Sequence, residues 1–337
     1  MYAINEAAAA YNLTIISGGA ATVGFGGYIS GGGHSATSHL HGLAADNVLE
    51  MTVVTPSGEL IAANECVNTE LFWALRGGGG GTFGVMVSVT VRTFPSFRYA
   101  VVKTLLATSA GEFNADAFWD KITEFTTRLP DLTDSGVSAY IQTATGLNGA
   151  YFGLPFSLNG CMGTFQLPLL HVSNSTASLV GLVDGLMDSS ELAGKAENGT
   201  TWLSSLSPAE YADFFTYWKD NNGTESSGIN AVLALRLLDK KVLTFDRVKL
   251  KKALILAGES SGFINNLVSG LGVHRFPAYS NSVNPAWRTT YVHAMMGAYF
   301  APFQPIEQKR KRQQLRDVCL QGLKELSDDG LGSSYVN

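Results

Sequence analysis

The segment Gly24-Phe25-Gly26-Gly27-Tyr28-Ile29-Ser30-Gly31-Gly32-Gly33-His34-Ser35 places six glycines within twelve residues. Because the surrounding chain otherwise favours short strands, this glycine density predicts unusual backbone conformations or a bulky group lying close to the main chain. Exposed N–H groups in such a loop can bind a pyrophosphate or the polar edge of a flavin ring. The residues alone leave two hypotheses open, a cofactor-binding loop and a tight system of β-turns.

A second glycine cluster, "RGGGGGTFGV" at residues 76–85, lies directly before a predicted strand. Five consecutive glycines lose backbone entropy when they become ordered, about 0.5 to 1 kcal/mol each relative to alanine in regular structure. A flexible linker is the simplest interpretation of such a run. The neighbouring residues Trp73-Ala74-Leu75-Arg76 and Thr82-Phe83-Gly84 favour an ordered turn instead.

Neither cluster matches a known nucleotide-binding fingerprint. Gly24 and Gly26 fit the start of G-x-G-x-x-G, but Ile29 occupies the third glycine position and no helix pattern follows. The sequence also contains no G-x-x-x-x-G-K-[ST], so hydrolysis of a nucleoside triphosphate has no support.

The first 97 residues alternate short β-like runs with glycine turns. Strands are predicted at residues 15–16, 48–55, 59–62 and 85–92. Pro56-Ser57-Gly58 indicates a hairpin between the second and third of these strands. Helices are predicted in the alanine-rich segment 3–12 and at residues 68–75, where Asn68 is the expected N-cap.

From Tyr99 onward the pattern changes to longer helices separated by strands. Helices are predicted at residues 114–129, ended by Pro130, and at 207–218, opened by Ser207-Pro208. Strands are predicted at residues 99–106, 137–143 and 229–237. This alternation favours an α+β class with a large antiparallel sheet covered by helices. We predict two domains, residues 1–97 and 98–337.

Composition excludes several classes of partner. The chain has 337 residues, of which 45% are hydrophobic, enough for two cores, since single cores rarely grow beyond about 250 to 300 residues. The formal net charge of -5 provides no broad cationic field that would attract nucleic acid. The basic run at residues 309–312 is interpreted as the solvated face of a helix, because Leu315 and Cys319 follow it at helical spacing. No apolar run is long enough to span a membrane.

The cysteines and histidines indicate neither a disulfide framework nor a metal site. Cys66, Cys161 and Cys319 are far apart and form no C-x-x-C, so buried or half-buried thiols are expected. His34, His39 and His41 are close in sequence, but the only nearby carboxylate is Asp46, in a context typical of a turn before a strand. We therefore predict no metal.

Two long stretches resemble a known family. "GGGHSATSHLHGLAADNVLEMTVVTPSGEL" (31–60) and "NTELFWALRGGGGGTFGVMVSVTVRTFP" (68–95) are similar to the second half of the PCMH-type FAD-binding domain in the vanillyl-alcohol-oxidase superfamily, berberine-bridge-enzyme-like branch. The similarity covers residues 22–95 and is weaker at 282–293 and 332–337. The resemblance implies FAD as cofactor and a substrate-binding domain after residue 97.

The resemblance also implies which residues lie near FAD. The wall along the flavin would consist of Thr22, Val23, Gly24, Gly26, Gly27 and Tyr28. The segment packed beside it would consist of Gly31, Gly32, Gly33 and His34. The turn at the adenine end would consist of Phe83, Gly84 and Val85.

Three departures from the family pattern bear on catalysis. The family's upstream phosphate-binding loop and its flavin-linking histidine have no counterpart in this sequence, and Ala20 stands where bicovalent members have a cysteine. The residue after "YVN", often the Tyr or Glu proposed as base, would lie just beyond Asn337. Tyr335 is the only phenol in this C-terminal motif and is therefore the candidate substrate-side group, with a packing role between domains as the alternative. We expect the chain to be truncated at both ends.

The expected activity is an FAD-dependent oxidation that passes hydride from an alcohol, a sugar or another small organic substrate to flavin N5, with O2 as reoxidant. The resemblance further suggests a monomer and secretion. A remnant that binds no flavin is the main alternative. A serine hydrolase using Ser260 in "GESSG" fails the required order, because no carboxylate separates Ser260 from His274 or His293.

Overall fold

The computed structural model describes residues 1–109, 114–147, 157–171, 174–188, 196–197, 200–222, 230–258 and 262–326. The strands in this part of the chain are β1 Leu13–Thr14, β2 Val48–Val54, β3 Leu60–Asn64, β4 Val85–Val91, β5 Phe94–Pro95, β6 Tyr99–Ser109, β7 Ser138–Leu147, β8 Leu158–Pro168, β9 Ala196–Glu197, β10 Thr200–Tyr211, β11 Ala231–Asp239, β12 Phe263–Leu267 and β13 Thr290–Tyr299.

The helices in the same residues are α1 Tyr2–Ala9, α2 Phe25–Ser30, α3 Ser38–His41, α4 Thr69–Leu75, α5 Ala115–Asp134, α6 Thr176–Met187, α7 Phe214–Asn222, α8 Lys240–Thr244, α9 Arg247–Gly258, α10 Leu271–His274, α11 Pro305–Gln314 and α12 Leu320–Leu326. A π-helical turn, Leu315–Cys319, joins α11 to α12.

Two antiparallel sheets form the framework. The smaller sheet has the order β3-β2-β4, and the turn at Pro56-Ser57-Gly58 joins β2 to β3 as predicted. The larger sheet has the order β11-β13-β12-β7-β8-β6-β10-β9. All of its neighbouring strands pair antiparallel, which confirms the α+β class and the large antiparallel sheet.

Helices cover one face of the large sheet. Strand residues of one parity, among them Val102, Ile141 and Phe165, form a buried core with α5, α6, α9 and α12. Leu315 and Cys319 join this core, as their helical spacing predicted. Because side chains alternate along a strand, the residues of the other parity point to the opposite face.

The N-terminal part of the chain packs at that opposite face. Tyr99 and Val101 share a buried cluster with Ile16, Tyr28 and Trp218. Trp218 Nε1 also donates a hydrogen bond of 2.9 Å to the Gly18 carbonyl. The predicted domain boundary at residue 97 stays a prediction. Residues on both sides of that boundary contribute to this buried cluster.

Two predictions based on proline are wrong. Residues 207–211 belong to strand β10, not to a helix, and Pro208 pairs with Val102 of β6. On the other side of β10, the short β9 pairs only with Thr200 and Thr201. Pro208 has no backbone N–H, and in the described residues no strand on that side requires one from it. Helix α5 continues through Pro130 to Asp134, because Leu129 and Leu132 on both sides of the proline are buried in the core.

Other local predictions also need correction. The first strand is Leu13–Thr14 rather than residues 15–16, and a short helix, α2, lies inside the first glycine segment. Asn68 precedes α4 in the left-handed region (φ 51°), but its side chain donates to the Ala62 carbonyl instead of capping the helix. Asn114 does cap α5.

The structure tests the predictions made for the three cysteines and for membrane-spanning helices. Cys161 and Cys319 are buried, whereas Cys66 is exposed, which corrects the prediction for that residue, and all three are free thiols. No helix in the described ranges is long and apolar enough to cross a membrane.

Removal of a large side chain from the helix-covered core should destabilise the fold strongly. Phe165 is fully buried in β8, so Phe165→Ala is expected to lower the free energy of unfolding by about 3 to 5 kcal/mol in urea titrations. Val248→Ala is the control, because Val248 is 82% exposed and its loss should change stability by less than about 0.5 kcal/mol. Equal effects of the two variants would contradict this assignment of the core.

Candidate functional site

A row of polar side chains crosses the open face of the large sheet. Directly paired residues on neighbouring strands form it: Lys103 with Thr164, Thr164 with Tyr140, Tyr140 with Asn266, and Asn266 with His293. Their Cβ atoms should lie about 4.5 to 5.5 Å apart, as is usual for directly opposite residues. The row runs from exposed Lys103 to fully buried Asn266 and His293.

A second row lies beside the first and is mostly apolar. It consists of Met162, Gln142, Ile264 and Met295, which pair in that order across four strands. Both rows line a cavity of about 1230 Å³. Helix α7, Gly19 and His34 also border this cavity, so segments from the N-terminal part of the chain face the sheet across it.

Aromatic rings gather at the buried end of the polar row. The ring centroid of His34 is 5.5 Å from that of His293 and 6.4 Å from those of Tyr140 and Trp287. Asn266 Nδ2 lies 3.4 Å from His293 Nδ1. An amide N–H can only donate, so Nδ1 of a neutral His293 accepts and Nε2 carries the proton.

Both histidines of this cluster are neutral at ordinary pH. Burial lowers the pKa of His34 to about 4. Burial, and then the nearby His34, lower the pKa of His293 well below its usual value. The buried end of the cavity is therefore uncharged.

The first glycine segment combines close packing with open backbone. Gly33 has φ +72°, and a Cβ there would lie 2.7 Å from the Ala44 Cβ, so this position requires glycine. At Gly24 and Gly27, by contrast, a Cβ would meet nothing within 4 Å. Tyr28 is buried beneath the segment and donates a hydrogen bond of 2.7 Å to the His34 carbonyl.

The second glycine cluster is an ordered turn, as predicted. Gly79 donates a hydrogen bond of 2.9 Å to the Ser30 carbonyl, which joins the two glycine segments. Gly77 has φ +107° and lies so close to Val283 that a Cβ would be 2.4 Å from its Cγ2. The two segments thus form one continuous surface in which Gly24 and Gly27 are open.

A buried ion pair fixes the chain that precedes β13. Arg288 donates to Asp46 through Nη2 (2.7 Å) and Nη1 (2.9 Å), and the Asp46 side chain is fully buried. Asn281 also donates to Asp46. Asp46 lies in the turn before β2, as its sequence context predicted. This pair therefore ties the glycine-rich part of the chain to the loop that carries Trp287.

The predicted cofactor residues lie in three places. His34 lines the cavity, and Thr22, Gly24 and Gly27 are exposed. Phe83, Gly84 and Val85 lie at the start of β4 beside β2 and do not line the cavity, although Val85 is 69% exposed. The remaining predicted residues belong to the same glycine segments: Val23, Gly26, Tyr28, Gly31, Gly32 and Gly33.

Tyr335 and Ser260 lie outside the described residues. Among the residues that are described, no three His, Cys, Asp or Glu side chains come together as a metal site. His34, His39 and His41 diverge, since His41 stacks on Phe94 with ring centroids 3.7 Å apart.

The sequence analysis missed the sheet half of the site. Tyr140, Gln142 and Thr164 are half-buried and alternate with buried residues along their strands, a pattern typical of one open sheet face. The stretch 282–293 had already shown family similarity and ends on His293. Those two signals point to part of the sheet face and to His293.

Comparison with known proteins shows which proteins the chain is similar to. Residues 1–64 match the FAD binding domain family. The chain is 31% identical over 342 residues to the FAD-linked oxidoreductase ZEB1 of Gibberella zeae, a match that covers 100% of this chain and 55% of that protein. The chain thus spans about half the length of this curated relative.

Solved structures show the same fold. The VAO-type flavoprotein MtVAO713 from Myceliophthora thermophila C1 superposes with a TM-score of 0.82 at 24% identity, over 98% of this chain and 57% of that one. Berberine bridge enzyme from Eschscholzia californica gives a TM-score of 0.67 at 17% identity, over 99% of this chain and 62% of that one.

The chain is thus similar over its full length to a curated FAD-linked oxidoreductase and has the VAO-type fold of the solved structures. The match to the FAD binding domain family confirms FAD, the cofactor expected from the resemblance.

Loss of the buried arginine should destabilise the protein. Arg288→Met leaves the Asp46 carboxylate buried without its partner and is expected to lower the free energy of unfolding by about 3 to 5 kcal/mol. Arg98→Met removes an exposed ion pair with Glu210 and should change the stability little. A small effect of Arg288→Met in urea titrations would contradict the proposed anchoring role.

Buried histidines should make the fold sensitive to acid. Burial lowers the pKa of His39 from the usual 6.5 to about 4. Between these values the unfolded chain binds a proton that the folded chain does not, so stability is present above pH 6.5 and is lost as the pH falls towards 4. His39→Leu should flatten this dependence in urea titrations at stepped pH. The exposed His171→Leu is the control, and an unchanged slope in His39→Leu would refute the prediction.

Proposed function

We propose that this protein oxidises a small organic substrate, such as an alcohol, a sugar or a secondary metabolite, with FAD bound between the glycine segments and the open face of the large sheet. The observation that carries the proposal is the position of His34. This residue of the glycine-rich segment lies against Tyr140 and His293 of the sheet, at the buried end of a cavity of about 1230 Å³. Pockets for drug-sized ligands usually measure about 300 to 1,000 Å³, so this volume suits a flavin ring together with a substrate.

The residues present fit FAD. A flat ring system needs a wall without projecting side chains, and Gly24 and Gly27 have open space where a Cβ would lie. Thr22, Gly24 and Gly27 are exposed, while Tyr28 and Gly33 hold the segment from beneath. The proposed flavin wall therefore comprises residues 22–28, with His34 beside it.

When bound, FAD supplies the electron chemistry, accepting hydride from a substrate C–H at N5 and passing the electrons to O2. The chain's own residues supply orientation and a dry environment. His293 offers its Nε2 proton to a substrate oxygen, and Asn266 holds the imidazole ring in that tautomer. Ile264 and Met295 provide apolar surface beside it.

Tyr335 is proposed as the substrate-side group that takes part in proton transfer through its phenol oxygen. The proposal rests on its place in the family-like motif at residues 332–337. Tyr335→Phe should retain FAD binding and slow reduction of the protein by its substrate, whereas unchanged reduction would remove Tyr335 from the reaction.

The proposal extends to O2 as reoxidant, to a monomeric state and to secretion, all of which the family resemblance suggests. The similarity to fungal relatives named FAD-linked oxidoreductases supports a small-molecule substrate. Light scattering of the purified chain tests the monomer, and consumption of O2 after substrate addition tests the reoxidant.

A bulky side chain in the flavin wall should block FAD. Gly27→Val is expected to weaken FAD binding by at least about tenfold, because the side chain would occupy the open space against which the ring lies. The measurement is titration with FAD, followed by flavin fluorescence and absorbance. Gly181→Val is a matched control, since Gly181 is also an exposed helical glycine with nothing within 4 Å of its Cβ position.

A wild-type chain that folds but takes up no FAD would contradict the proposal. That result would favour the alternative of a non-catalytic remnant that binds no flavin. Equal FAD affinities of the wild type and Gly27→Val would refute the assignment of the flavin wall alone.

A further inference from the structure

The charges around the cavity all have one sign. Among its described lining residues the charged side chains are Lys103, Arg312 and Arg316, and none is Asp or Glu. Arg316 forms an ion pair with Asp317 through Nε (2.6 Å) and Nη2 (3.1 Å), so its charge is largely compensated. Arg312 lies on α11, which packs against β11 and β13, so Lys103 is the charged group on the β6 side of the cavity.

Lys103 lies within the sheet rather than at its edge. It sits in the middle of β6, between Thr164 of β8 and Ser207 of β10 in the pairing register. In the part of the chain that the structure describes, no carboxylate pairs with it. A lysine in the centre of a sheet face that lines a cavity, flanked by hydroxyl groups, suits the binding of an anionic group.

The opposite end of the same row is uncharged. Tyr140, Asn266 and His293 extend the row towards His34 and Trp287, and the histidines there are neutral. An ammonium group placed in this end would lose its hydration without gaining a counter-charge from the described lining residues, which is costly. The polar row therefore has a cation at Lys103 and a neutral aromatic end at His34 and His293.

We infer that the substrate carries a carboxylate that binds Lys103, while the carbon to be oxidised lies near Tyr140 and His34. Two strand spacings of about 4.8 Å separate Lys103 on β6 from Tyr140 on β7, so the two groups of the substrate are about 10 Å apart. This inference rests on the proposed function and narrows its substrates to acids with an apolar body.

The test uses three rigid probes that differ only in one terminal group. A para,para′-substituted biphenyl with a hydroxymethyl group at one end carries a carboxylate, a carboxamide or an aminomethyl group at the other. Binding to the full chain, with and without added FAD, is measured by titration calorimetry. The wild type should bind the carboxylate about tenfold more tightly than the amide, and the amine most weakly.

The variants isolate the charge of Lys103. Lys103→Met keeps most of the side-chain volume and should abolish the preference for the carboxylate, whereas Lys103→Arg should retain it. Lys252→Met is the matched control, because Lys252 is 72% exposed on helix α9 and does not line the cavity. Thermal unfolding of each variant verifies that the fold is intact.

A carboxylate preference that survives in Lys103→Met would overturn the inference, as would an amide or amine that binds at least as tightly as the carboxylate. Failure of the proposed function looks different. In that case the chain binds no FAD, which contradicts the proposed function. The wild type still prefers the carboxylate probe and Lys103→Met does not, which supports the anion site. If FAD binds and the wild type shows no charge preference, the inference is wrong and the proposed function stands.

Discussion

Strand register is the constraint on which the rest of this structure depends. Antiparallel pairing brings Thr164, Tyr140, Asn266 and His293 into one row, and a shift of one residue in any strand would turn its side chain into the helix-covered core. The apolar residues of opposite parity, such as Phe165, prevent that shift because they must stay buried. The packing of helices on one face thus determines which chemistry appears on the other.

The glycine segments are proposed to face the sheet across the bound flavin, and of their residues His34 borders the cavity. They leave main chain bare where a ring can lie, yet they are held rigidly by Tyr28, by the bond from Gly79 to Ser30, and by the Asp46–Arg288 pair. A wall that is open on one side and fixed on the other is preorganised, which reduces the entropy lost on binding.

Sequence reasoning found one half of the candidate site and missed the other. The glycine clusters are local signals, and their order and spacing carried the family resemblance to FAD-linked oxidoreductases. The sheet face depends on residues far apart in sequence, from Lys103 to His293, that only pairing brings together. The two predictions based on proline failed for a related reason, because tertiary contacts outweighed local propensity. Pro208 lies in a strand where the short β9 does not reach it, and Pro130 lies in a helix whose neighbouring residues are buried in the core.

Hydrogen exchange on the full chain, with and without FAD, addresses the central claim most directly. If the ring lies between the glycine segments and the sheet, the amides of residues 19–34 and those of β7, β12 and β13 should become protected together when FAD is added. Protection confined to other regions, or no change at saturating FAD, would contradict the account.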